Sequence, residues 1–264
     1  MNSQTTILEK IFEQKKIRVE GAKRGFEYAE FVHRAKTFRK NAVENKFQTA
    51  FADRTKTNII AEIKRASPSR GVIRSDADAG QIAHIYESFG ASAISVLTEE
   101  DFFGGNIDDL FAAKNLTDLP ILRKDFVFDE FQVYESALIG ADAILLIVAM
   151  LDDQTLSHLF RLAASLGLDV LVETHDDAEF ARAVKLGAKI IGVNNRNLHT
   201  FDVTLDISRR LIGSAPKDTI MIAESGLTSK VEIDELKVLG FSGFLVGERL
   251  MKTENIGETL NSLL

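Results

Sequence analysis

"LIGADAILLI", residues 138–147, ends an amphipathic stretch on Gly140 and three residues later enters an unbroken apolar run. The same plan recurs as "SFGASAISVL" (88–97), "KLGAKIIGVN" (185–194) and "VLGFSGFLVG" (238–247), with "ASLGLDVLVE" (164–173) as a looser case. A Gly closing an amphipathic segment is a helix stop, because it tolerates the left-handed backbone needed there. Apolar runs without polar alternation are the pattern of parallel strands covered by helices. Each stretch therefore reads as the end of a helix followed by a buried parallel strand.

The stop glycines 90, 140, 167, 187 and 240 are 50, 27, 20 and 53 residues apart. The two large gaps are each about two small ones, so each hides a unit. "PILRK" (120–124) and "TIMIAES" (219–225) supply the missing strands, and "NIIAEIK" (58–64) adds one at the front. Eight strands are expected near 59–64, 93–97, 120–124, 143–148, 169–173, 190–194, 220–224 and 243–246. Helical patterns lie between them, as in "LDDQTLSHLFRLAASLG", where Leu156, Leu159, Phe160 and Ala163 share a face. Eight βα units in about 205 residues is the count and size of a closed α/β barrel, a (β/α)8 or TIM barrel. The alternative is a doubly wound open sheet, but no G-x-G-x-x-G follows the first strand.

The bulk composition fits one such domain over residues 1–264. The chain is 45% hydrophobic and 27% charged, with three Pro, no Cys and a formal net charge of −7. That balance argues against nucleic-acid binding. The missing Cys excludes disulfides, thiolate metal sites and a Cys nucleophile. The N-terminal stretch lacks the apolar core of a secretory signal. The longest apolar run, 143–151, is far short of the roughly 20 residues of a membrane span. A cytoplasmic location is expected, with no membrane partner.

Residues 1–50 fall outside the repeat and read as an N-terminal extension of two or three helices. Ile7, Leu8, Ile11 and Phe12 form one stripe, and Phe26, Phe31, Phe38 and Phe47 offer further anchors. The segment carries 11 basic and 6 acidic residues, a net of +5, leaving −12 for the barrel. It is either a solvated layer packed on the barrel or a cover near its mouth that adds positive potential for an anionic substrate.

Catalysis in such barrels sits at the carboxyl ends of the strands. Those ends carry Glu62, Lys64, Lys124, Glu173, Asn194, Arg196, Glu224 and Ser225. Burying an isolated charge costs several kcal/mol, so these groups must pair or face a wet cavity. Glu62 and Lys64 are two apart, hence on one strand face. A shared pocket accounts for so many polar strand ends better than salt bridges closing the barrel top. The charged run Arg123, Lys124, Asp125 in "PILRKDF" is read the same way.

Gly226 and Gly247 follow strands seven and eight, the two loops that often hold phosphate in these barrels. "FFGG" (102–105) is either a turn with core anchors or a flap that stacks on an aromatic substrate. His33, His84, His158, His175 and His199 show no ligand spacing, so no metal is expected.

Together, "IIAEIKRASPSRGVIR", "SVLTEEDFFGG", "ILRKDFVFDEFQVYES", "ADAILLIVAML", "LVETHDDAE", "IGVNNRNLHTFDVTLD" and "IAESGL" resemble the indole-3-glycerol phosphate synthase family over essentially the whole chain. The resemblance implies closure of 1-(2-carboxyphenylamino)-1-deoxyribulose 5-phosphate to indole-3-glycerol phosphate, with loss of carbon dioxide and water. It implies no cofactor and no metal. By matching motifs, Lys124 would be the general acid for ring closure and Glu173 the base for dehydration. Lys64 would anchor the substrate carboxylate and serve as a second acid. Glu62, Asn194 and Glu224 would orient the lysines and hydroxyls. Ser67, Ser69, Arg196, Ser225, Gly226, Gly247 and Glu248 would surround the phosphate or sugar, the Glu248 side chain turning away while its N–H donates. Phe103, Phe126, Leu145 and Leu198 would wall the aromatic ring.

The chemistry suits these residue types, since carbon–carbon closure needs an acid at a carbonyl and dehydration needs an acid and a base. Neighbouring cations would lower a lysine pKa and a carboxylate would oppose that. The expected partner is a small phosphorylated molecule, and the chain is expected to act as a monomer or at most a weak homodimer. The rival readings are another phosphate-binding barrel, such as phosphoribosylanthranilate isomerase, and a non-catalytic ligand-binding barrel.

Overall fold

The structure, a computed structural model, describes residues 6–197 and 200–264. Eight parallel strands close into a barrel: β1 (Ile59–Ile63), β2 (Ala93–Leu97), β3 (Ile121–Lys124), β4 (Ala143–Ile147), β5 (Asp169–Thr174), β6 (Ile190–Asn194), β7 (Ile220–Glu224) and β8 (Gly243–Val246). Each span agrees with the sequence expectation to within one residue at either end. All five stop glycines have positive φ, from 64° at Gly167 to 119° at Gly240.

The strands are apolar on both faces because the barrel has two cores. Ile60, Leu122, Leu171, Ile222 and Leu245 point inward and fill the lumen. Their neighbours Ile59, Ile121, Val170, Val172 and Phe244 point outward under the helices. One pleat above the lumen layer, the inward positions turn polar: Glu62, Lys124, Glu173 and Glu224 each lie two residues beyond an inward apolar side chain.

That alternation corrects the reading of Arg123. Arg123 points away from the lumen and is 1% exposed. Its guanidinium meets Asp125 at 3.1 Å and Glu135 at 2.8 Å, and donates to Thr98 and Ser136. The Asp125 carboxylate joins this buried network, so that Lys124 and Asp125 border the cavity while Arg123 does not.

Among its described residues the extension has three helices, α1 (Ile7–Lys23), α2 (Tyr28–Arg39) and α3 (Lys46–Thr49). Thr6 and Glu9 form a capping box that starts α1. Helix α1 lies over the mouth, where Ile7, Leu8 and Ile11 line the cavity. Helix α2 packs on the barrel helix Glu130–Leu138, with Phe31 stacked on Phe131 at 4.7 Å. Phe47 of α3 and the following Phe51 plug the opposite end of the lumen. Phe38, expected as an anchor, is 59% exposed.

The cover reading is correct for position but not for charge. Lys15 is buried against Asp125 (2.9 Å) and Glu100 (3.0 Å), and Arg18 pairs with Asp101. These α1 cations are neutralised by the barrel's own acids rather than offered to a ligand.

Candidate active site

A cavity of about 500 Å³ lies at the carboxyl ends of the strands beneath α1. Every site residue expected from the sequence lines it except Leu198, which with His199 lies outside the described residues.

Lys124 stands at the centre of the floor. Its ammonium is 3.3 Å from Glu173 and 3.4 Å from Glu224. Burial opposes the charge, but the carboxylates of Glu173, Glu224 and Glu62 outweigh it and raise the lysine pKa above its ordinary value. The expected depression by neighbouring cations does not occur, because the nearest groups are anions.

The two carboxylates differ. Burial works against the Glu173 charge, but Lys124 and His175 overcome it and hold that carboxyl well below the usual range. Burial and the Glu173 charge push Glu224 the other way, up to about 8. Glu224 has room only because residue 192 is glycine: a Cβ there would lie 2.0 Å from Glu224 Oε1. Asn194 donates to Glu173 at 3.2 Å and accepts the Arg196 N–H at 3.1 Å, tying the floor to the rim. Glu62 holds Lys64 at 2.9 Å and leans on the bare backbone of Gly247.

Ser225 and Gly226 both adopt left-handed backbone, φ 62° and 79°. For Ser225 this is an uncommon conformation held by its surroundings. Ser67 Oγ is buried without a hydrogen bond to the described residues; Ser69 lies on the exposed hairpin turn beside it. On the wall, Phe103 and Phe126 sit 6.0 Å apart beside Leu145. Glu99 fixes the "FFGG" loop by accepting the N–H groups of Asp101, Phe102 and Phe103. Phe102 and Phe103 both pack on the lumen core, and of the two only Phe103 also lines the cavity.

Glu248 departs from expectation. Its carboxylate does not turn away but contacts Lys252 at 2.6 Å, Arg70 at 3.2 Å and Arg196 at 3.8 Å. Arg70 and Lys252 had no sequence signal, being lone cations in a loop and a short helix. Phe201, also on the cavity wall, was hidden in the long loop after β6. His175 was discarded with the scattered histidines, yet its Nε2 lies 3.2 Å from Glu173.

The sequence profile described as indole-3-glycerol phosphate synthase matches residues 8–263. The chain belongs to that family. A relative named indole-3-glycerol phosphate synthase from Legionella pneumophila (strain Paris) is 47% identical over 218 residues, covering 83% of this chain and 84% of its own. One of the same name from Endomicrobium trichonymphae is 44% identical over 263 residues, covering 97% and 99%. Among solved structures, 3-hexulose-6-phosphate synthase from Salmonella typhimurium superposes with a TM-score of 0.63 at 15% identity, covering 78% of this chain and 96% of its own. Thiamine phosphate pyrophosphorylase from Pyrococcus furiosus gives 0.60 at 18%, covering 80% and 95%. Those two likenesses speak for the barrel alone. As an indole-3-glycerol phosphate synthase family member, the chain is a decarboxylating lyase of tryptophan biosynthesis acting on a small phosphorylated substrate. No helix among the described residues is long and apolar enough to cross a membrane.

Proposed function

We propose that the strand-end groups divide the family's reaction among themselves as follows. The substrate, 1-(2-carboxyphenylamino)-1-deoxyribulose 5-phosphate, lies with its ring against Phe103, Phe126 and Leu145. Its phosphate sits among Ser67, Ser69, Arg196, the N–H groups of Gly226, Gly247 and Glu248, and Ser225. Lys64 anchors the ring carboxylate. Lys124 gives its proton to the ribulose carbonyl oxygen as the aryl carbon attacks that carbonyl carbon. Carbon dioxide then leaves and restores the aromatic ring. Glu173 removes the proton needed for loss of water, while Lys64, oriented by Glu62, serves as the second acid. Asn194 and Glu224 hold Glu173 and Lys124.

The observation that carries this reading is the Lys124 ammonium, on a strand and pinned between two carboxylates at the cavity floor. A strand holds an acid in place better than a loop does. Incubation with the substrate should produce indole fluorescence, at a rate lowered by about 10²-fold or more in Lys124→Met while substrate still binds. Normal turnover in that variant would remove Lys124 from its role. We further place the protein in the cytoplasm as a monomer, at most weakly dimerising. A concentration-independent dimer in sedimentation would overturn the second statement.

A further inference from the structure

Glu173 and Glu224 both face one ammonium at nearly equal distance, 3.3 and 3.4 Å. Two carboxylates against one cation in a buried floor retain a proton between them. With Glu224 pushed up to about 8, the pair holds that proton at neutral pH. A base must be free of it. Lys124 hydrogen-bonds Glu173 and not Glu224, yet its charge neighbours both, so a further group is needed to complete the separation.

His175 is that group. It lies two residues beyond Glu173, with its side chain 11% exposed and Nε2 at 3.2 Å from Glu173 Oε1. On the ring's other side, Nδ1 is 3.0 Å from Glu179, and the same carboxylate accepts the His175 backbone N–H at 2.8 Å. Glu179 is itself fixed, since Asp176 caps the helix Asp177–Leu186 through the Glu179 N–H. A carboxylate on each side keeps the imidazole doubly protonated. Burial opposes this, but Glu173 and Glu179 prevail and hold its pKa near 10. Glu173 thus faces Lys124 from β3, His175 from just beyond the end of β5, Glu224 from β7 and the neutral Asn194 amide from β6. Among the described residues, no second cation pairs with Glu224.

We propose that His175 is a positioning residue that decides which of the two carboxylates carries the shared proton, leaving Glu173 free and Glu224 protonated. It does not line the cavity and acts through Glu173, so the inference rests on reading Glu173 as the base.

The test compares His175→Gln, Glu179→Gln and Glu173→Gln, with kcat and KM measured between about pH 6 and 9.5. His175→Gln should lose roughly tenfold or more in kcat at pH 7, with KM within about threefold. Its deficit should shrink as pH passes about 8, because the proton then leaves whichever carboxylate holds it. Glu179→Gln, which keeps the imidazole in place, should show the same pH-dependent deficit at smaller size, and decides the matter if His175→Gln does not fold. A loss equal at every pH, a loss in KM alone, or no loss overturns the role of His175. Turnover surviving in Glu173→Gln would instead remove Glu173 as the base, whatever the other variants do.

Discussion

Glu173 on β5 and Glu224 on β7 meet through Lys124, whose ammonium touches both. That triad predicts a split between the two lysines. Lys124→Met should lower turnover by about 10²-fold or more with a nearly unchanged dissociation constant, the usual cost of losing one acid. Lys64→Met should weaken binding as well, since Lys64 is the proposed carboxylate anchor. Separate measurement of turnover and dissociation constant distinguishes them.

Glu224 also predicts how stability depends on pH. Its folded pKa, about 8, is raised from an ordinary 4.5, so the folded state keeps a proton that the unfolded chain has lost. The stabilisation this gives is complete below the unfolded value and is lost as pH rises to the folded one. Glu224→Gln lacks the group. Its stability relative to the parent should therefore improve by about 1 kcal/mol per pH unit between pH 5 and 8 and then level off. Denaturant melts at several pH values check this, and a constant difference would refute it.

Gly192→Ala inserts a methyl where Glu224 Oε1 now sits. Backbone φ is not the obstacle here; the carboxylate is. The variant should lose about 1–3 kcal/mol of stability through overpacking. Turnover should drop roughly 10²-fold as Glu224 and Lys124 shift. Denaturation midpoints and assays at saturating substrate test the two effects.

Glu248 occupies three cations beside the proposed phosphate loop. Glu248→Gln should release them and lower KM by roughly fivefold, about 1 kcal/mol for a partly exposed charge. Added salt should shrink the gain. An unchanged KM at low salt would show that this carboxylate does not oppose the substrate.

The strands, the stop glycines and the floor of the site were legible because each obeys a local rule: apolar runs, left-handed stops, and charges where a lumen begins to meet water. Arg123 was misread through neglect of the same pleat that placed Lys124 correctly, since adjacent strand residues face opposite ways. His175 was missed because its partner Glu179 comes from the next helix. The signal existed as "ETHDDAE": a His two residues after the expected base, with a Glu four residues further on. Phe201, with φ 62°, lies in a loop without periodicity and left no trace to read. Glu248 was expected to turn outward, and only the arrangement of Arg70, Arg196 and Lys252 reveals why it does not.

The extension's grip on both ends of the barrel governs the order in which the chain can fold. Phe51 comes off the ribosome early, yet its ring rests against Gly243 on the last strand. Ile11 likewise waits for strand ends contributed by the whole length of the chain. Until β8 closes on β1, these side chains have no lumen to enter, and contacts between such distant residues slow folding. The side chains of Ile11 and Phe51 therefore find their lumen only once the barrel closes, which places their docking late in folding, whereas Phe31 of α2 can meet Phe131 as soon as that helix is made.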